Sequence, residues 1–284
     1  MNLKISLLFV LAFFAANQTF SRSYFDKEKD LLLACFDLKP DEDDVMAAAG
    51  LASMLQHQDL AGIHYYAVAG AYGEQTGKFI STAVPDFYNQ LFGKEHTYWT
   101  NADANWEASV VRARDKVKAV LNGGGKVFVM EAGQSNFTYD VLQAVIASGI
   151  SASTFKENIV VVQHSKWNEK KSTAAELSWV KNNTEYVRLE DGNKTNATPA
   201  YKTEDSSWLS AAKSSDNPNR KTRDYWTLAD DICTHFTPTW VNEAIAGGGV
   251  DFSDCVEVWW IFDLGEKADS IDKFWSRYVV HSKK

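Results

Sequence analysis

The chain has 284 residues, 23% of them charged and 45% hydrophobic, with only 5 Pro and 16 Gly, which excludes a disordered, collagen-like or disulfide-scaffold protein. Its 29 Lys plus Arg stand against 37 Asp plus Glu, and a net charge of −8 offers no general attraction to phosphate backbones or anionic lipid. Nucleic acid and the membrane surface are therefore not expected as partners.

In chain order, the first segment places Lys4 before the apolar run Ile5–Ala16 and ends on the small residues Thr19 and Ser21. That is the layout of a secretory signal peptide over residues 1–21, and it predicts a secreted or periplasmic protein. Its removal takes away Lys4 and no acid, so the net charge moves from −8 to −9. No later stretch approaches the ~20 uninterrupted apolar residues of a membrane span, so no membrane association is expected once the signal is gone.

Residues 22–284 read as a single domain. Apolar runs predict strands over Leu31–Asp37, Ile63–Ala69, Lys126–Glu131, Ile159–Gln163 and Tyr186–Leu189, with stretches of helical period between several of them. Short strands apolar on both faces and separated by helices predict an α/β fold, a mostly parallel central sheet with helices on both faces. From about Asn193 to Arg223 the composition turns polar, which predicts a lid-like insertion with a short helix of its own. Helices are then expected over Tyr225–Phe236, Trp240–Ala246, Asp254–Phe262 and Ala268–Val279. Cys35, Cys233 and Cys255 are too scattered for a disulfide framework or a paired-ligand zinc site, although export would allow a Cys233–Cys255 bridge.

Ligands of such sheets bind at the carboxyl ends of the strands. That brings Asp37–Asp44, Ala69–Gly73, Glu131–Asn136 and Gln163–Glu169 to one rim. The first segment holds Asp37, Asp41, Glu42, Asp43 and Asp44 with a single cation, Lys39. Acids in a first helical turn stabilise the positive end of the helix dipole, which accounts for part of this cluster but not for Asp37 at the strand's end. The spacing fails the helix-loop-helix calcium loop, because Glu42 and Ala48 stand where Gly and Glu are required. Gly123–Gly125 and Lys126 lead into a strand rather than out of one, so they do not form a Walker loop.

The apolar strand running into Asp37, then Pro40, Asp43, Asp44 and Val45-Met46-Ala47-Ala48-Ala49, resembles the opening motif of the inosine-uridine nucleoside hydrolase superfamily and its secreted relatives. Gly133-Gln134-Ser135-Asn136 is similar to the turn after the family's central strand, Asp254 to its late acid, and Trp275-Ser276-Arg277-Tyr278 to a stretch of the secreted relatives. The resemblance implies hydrolysis of an N-glycosidic or related glycosidic bond in a small nucleoside or sugar. It implies calcium held by Asp37, Asp44, Asp254 and the Ser135 carbonyl, and substrate contacts from Asp43, Asn136 and Asn168. Catalysis would fall to Asp37 and Lys39; Lys39 stands where the family has the acid that activates water, and Ser253 where it has a histidine. The Lys39 ammonium either replaces calcium as counter-charge to the acids or points to solvent. Two other readings remain open: a catalytically degenerate nucleoside- or sugar-binding protein, and a serine hydrolase using Ser135 with His164 or His235 as base. Homo-oligomerisation also stays open.

Overall fold

Branched, aliphatic and aromatic side chains dominate the strands where the apolar runs lie: β1 (Leu31–Phe36), β2 (His64–Ala69), β4 (Val127–Ala132), β5 (Ile159–Gln163) and β6 (Glu185–Arg188), the last with charged residues at both ends. A short strand not expected from the sequence, β3 (Trp99–Asn101), adds an edge. The six form one parallel sheet in the order β3-β2-β1-β4-β5-β6. Interleaved are α1 (Asp43–Leu55), α2 (Asp86–Phe92), α3 (Trp106–Asn122), α4 (Ser135–Ala147), α5 (Phe155–Asn158), α6 (Lys166–Lys171) and α7 (Ala174–Asn183). The computed structural model describes residues 23–194 and 197–281, so the expected signal peptide lies outside the described residues.

Alternate residues of β1 serve opposite cores. Leu32, Ala34 and Phe36 pack with Val45, Leu51 and Phe252, whereas Leu31, Leu33 and Cys35 pack with Val117, Val141 and Val145. Helices therefore cover both faces, as the fold class predicts. Winding reverses at β1, whose two neighbours are β2 and β4. In a sheet of this order the reversal opens a crevice beyond the strands' carboxyl ends, between β1 and β4.

After β6 come β7 (Lys202–Thr203), α8 (Ser207–Lys213), α9 (Arg220–His235), α10 (Glu243–Ala246), β8 (Val250–Asp251), α11 (Cys255–Ile261) and α12 (Ile271–Phe274), ending in a π-turn at Trp275–Val279. The polar excursion has its short helix, α8, and is anchored by buried Tyr201, Leu209 and Ala212, with Tyr201 stacked on Phe252 at 4.6 Å. The helix expected over Trp240–Ala246 is confined to α10, because the backbone N–H groups of Thr239 and Trp240 donate to the Pro40 carbonyl instead.

Every residue of α1 from Asp44 to Leu55 is buried. Its small residues admit close neighbours: a Cβ on Gly50 would lie 2.8 Å from Cys255 Sγ. The three cysteines are free and buried, so the Cys233–Cys255 bridge that export would allow is not formed; Cys255 Sγ instead faces the Ala47 carbonyl at 3.3 Å. Among the described residues no helix is long and apolar enough to cross a membrane.

Candidate active site

The chain leaves β1 through a turn in which Leu38 adopts φ 55° and its N–H donates to Asp44 Oδ2 at 2.6 Å. That bond ties the strand's end to the first turn of α1. Asp37 and Asp44 are thereby brought within hydrogen-bonding reach of each other, both almost without exposure. Asp254, at the start of α11, and Asp43 complete a group of acids whose charges act on one another.

Burial pushes the Asp37 carboxyl up to about 7 despite hydrogen bonds from Asp44, the Lys39 N–H and Gln134. Asp41 rises to about 7 through burial and the neighbouring Asp251, while burial and the surrounding acids drive Asp43 and Asp44 well above the usual carboxylate range. Burial also raises Asp254, against the pull of His164. Asp37, Asp41, Asp43 and Asp44 take part in no ion pair with a base among the described residues. Asp44 Oδ1 is buried without a conventional hydrogen-bond donor. Several acids crowded this way are costly unless protonated or neutralised by a cation, and of the group only Asp254 is partnered by a base among the described residues, His164.

All of these acids except Asp44 border a cavity of about 260 Å³. It is lined by Asp37, Lys39, Asp41, Asp43, Asn168 and Asp254, and also by His164, Asp191, Asn193, Trp167 and Trp240. Three predicted site residues lie elsewhere. Ser135 opens α4 and its hydroxyl donates to Glu131 Oε2 at 2.8 Å. The Asn136 amide donates to Thr173 Oγ1 at 2.7 Å and to Glu176, fastening α4 to the start of α7. Asp44 lies behind the wall, holding the turn.

Lys39 is the lysine that lines the cavity, yet its Nζ rests on the face of Tyr72, 3.2 Å from the ring centroid. Asp37 and Asp103 favour its charge, burial opposes it more, and its pKa falls below the ordinary lysine value. Tyr72 in turn donates its hydroxyl to Asp103 at 2.9 Å.

Comparison with protein-family models, with curated proteins and with solved structures returns no match.

A neutral amide network stands beside the acids. Gln134 Nε2 lies 2.8 Å from Asp37 Oδ2, 3.0 Å from Gln75 Oε1 and 3.0 Å from Asn168 Oδ1, and Gln134 Oε1 accepts the Gly73 N–H at 2.8 Å. Gln134 thus sets Asp37 and Asn168, residues 131 positions apart in no repeat or motif, against one another. The close approach depends on Gly133, where a Cβ would lie 2.2 Å from the Ala71 carbonyl oxygen.

On the far wall, His164 Nε2 accepts the Gly192 N–H at 2.8 Å, which leaves Nδ1 to donate to Asp254 Oδ1 at 3.0 Å. Glu257 Oε1 accepts the His164 N–H at 2.9 Å. His164, Asp254 and Glu257 offer ligand atoms within 4.8 Å of one another, but with both ring nitrogens hydrogen-bonded the histidine is a clamp on Asp254 and the 191–193 turn rather than an open metal ligand. Asp191 and Gln75 are absent from the sequence-based site. The strand-end rule reaches Asp191 when it is applied to β6, whereas Gln75 has no signal beyond lying just past the Ala69–Gly73 rim segment.

Proposed function

We propose that this chain hydrolyses a glycosidic bond, N-glycosidic or closely related, in a small sugar-bearing molecule held in the rim cavity. The observation that carries this reading is the convergence of Asp37, Asp43, Asp44 and Asp254 from three separate segments, with carboxyl groups shifted upward by burial and by one another. Glycosidic cleavage passes through an oxocarbenium-like state and needs carboxyl groups on either side of the scissile bond, one to protonate and one to activate water or stabilise charge. Asp41, near 7 and outside the set that would hold a cation, is suited to exchange protons at neutral pH. Asp43 supplies an acceptor for sugar hydroxyls, and Asn168, whose amide donates to the His164 carbonyl, forms part of the wall.

Calcium fits this donor set, because hard oxygen ligands with excess negative charge are what it binds, and the buried Asp44 Oδ1 lacks a donor. Asp37, Asp44 and Asp254 would hold it. When bound, such an ion supplies positive charge that polarises water and grips vicinal hydroxyls. Lys39 is left to bind and orient from the cavity wall, with its ammonium on Tyr72.

A sugar-binding protein without turnover is favoured by one observation: both Asp37 oxygens already accept protein hydrogen bonds, from the Lys39 N–H at 3.0 Å and from Gln134 at 2.8 Å, which weakens it as a base. The serine hydrolase reading has less support, since the Ser135 hydroxyl is hydrogen-bonded to Glu131 and His164 is turned to Asp254. Release of base or reducing sugar from a panel of nucleosides and aryl glycosides, with calcium or with EDTA, tests the proposal. Calcium-stimulated release that Asp254→Asn abolishes is the expected result; saturable binding with no release would replace it by the binding reading.

A further inference from the structure

The rim cavity does not end at its own mouth. Asp41 and Trp240 line it and also line a second, wider groove of about 570 Å³, bordered by Lys202, Thr203, Glu204 and Glu243. Trp240 is 50% exposed and the adjoining Val241 70% exposed, an unusual cost in apolar surface for a loop otherwise pinned down. The backbone there is held: the Thr239 and Trp240 N–H groups donate to Pro40 O at 3.1 and 3.2 Å, and Thr239 Oγ1 accepts the Lys78 N–H at 2.8 Å. The indole is thus a fixed, half-open platform between two concavities.

We propose that the second groove is a subsite for another ring of the ligand, and that the ligand is an uncharged glycan of at least two sugar rings, stacked on Trp240. The proposal rests on reading the first cavity as a sugar site. Three arguments support it. At about 260 Å³ the first cavity is smaller than the ~300 Å³ at which pockets for drug-sized ligands begin, so one ring fills it and the remainder of a larger ligand must leave past Trp240. Trp167 meets Trp240 at 72° with centroids 5.5 Å apart, so the two rings cannot sandwich a flat nucleobase. One free aromatic face beside carboxylates and a threonine suits the apolar face and hydroxyl edge of a sugar ring. Finally, Asp41, Glu204 and Glu243 repel phosphate and carboxylate groups, while the one base of the groove, Lys202, is already paired with Asp251 at 3.0 Å.

Calorimetry and tryptophan fluorescence on the full chain, with maltose, cellobiose and chitobiose against glucose and adenosine, test the subsite without requiring turnover. At least one disaccharide binds more tightly than glucose, and Trp240→Ala reduces that advantage by roughly three- to tenfold, the range of an exposed stacking contact, whereas Trp240→Phe retains most of it. Disaccharides that bind no better than glucose overturn the proposal. So does an unaltered disaccharide advantage in Trp240→Ala, or a Trp240-dependent preference for adenosine. Trp240-dependent disaccharide binding without hydrolysis supports the subsite and refutes only the hydrolase reading; hydrolysis of disaccharides unaffected by Trp240→Ala does the reverse.

Discussion

Asp44 does two jobs that pull against each other. One oxygen accepts the Leu38 N–H and holds the turn after β1, while the other is buried beside Asp37 without a donor. Asn in its place keeps an acceptor for Leu38 and removes a charge that is costly to bury. Asp44→Asn is therefore expected to raise Tm in EDTA by a few degrees, on the order of 1 kcal/mol, and to abolish the rise in Tm that calcium gives the unaltered chain. A variant that loses stability in EDTA, or keeps its calcium response, would contradict that division of roles. The pH dependence has a definite sign. Asp37 and Asp41 ionise near 7 in the fold but at ordinary carboxylate values when unfolded, so between about pH 4 and 7 the native state binds more protons. Their contribution to stability without metal is therefore full below about pH 4, declines as pH rises toward 7 and levels off above it, and calcium should stabilise more at pH 7.5 than at pH 5.5. Thermal melts at the two pH values, with EDTA and with calcium, measure both.

At the scale of elements, the turn from β4 into α4 aligns the site. Gly133 leaves no room for a Cβ against Ala71 O, and Gln134 follows at once with its contacts to Asp37, Gln75 and Asn168. Gly133→Ala should cost about 1–3 kcal/mol of stability through overpacking and should displace Gln134. Denaturant melts report the first effect, and a fall in ligand affinity larger than that of a distant variant of equal instability reports the second. Much of this level was legible in the sequence. β1, β2, β4, β5 and β6 lie where apolar runs predict strands, and the strand-end rule brings Asp37 and Asn168 to one cavity, which Asp254, pointed to by the family resemblance, also lines. β3 was not legible because three residues on an edge are too few to establish a period. Neither Lys39 on Tyr72 nor the Gln134 network was legible, since a side chain's direction and the meeting of residues 37, 75, 134 and 168 depend on tertiary packing.

Over the whole molecule, the charge of −8 acquires a location. Asp37, Asp41, Asp43, Asp191 and Asp254 face one cavity, so as pH rises past the raised carboxyl values negative charge gathers where the ligand enters. A nucleoside or sugar is expected to bind at least about tenfold more tightly than its phosphorylated counterpart at low salt, with the gap narrowing as sodium chloride is added and the field is screened. Competition titrations at two ionic strengths check this, and equal affinities at low salt would show that the acids do not govern entry.

The envelope around α1 also constrains the order in which the molecule can be completed. The helix that begins with Asp43 and Asp44 is packed against α9, β8, α11 and the terminal π-turn, all of which come from the last quarter of the chain. During synthesis the sheet strands emerge first, while this helix waits without its outer cover and without Asp254. The acidic cavity is therefore a late product of folding: until the C-terminal segment has closed over α1, the concentrated negative charge is spread along an open surface where water can solvate it. The costly arrangement comes into being only once there is a finished core to hold it.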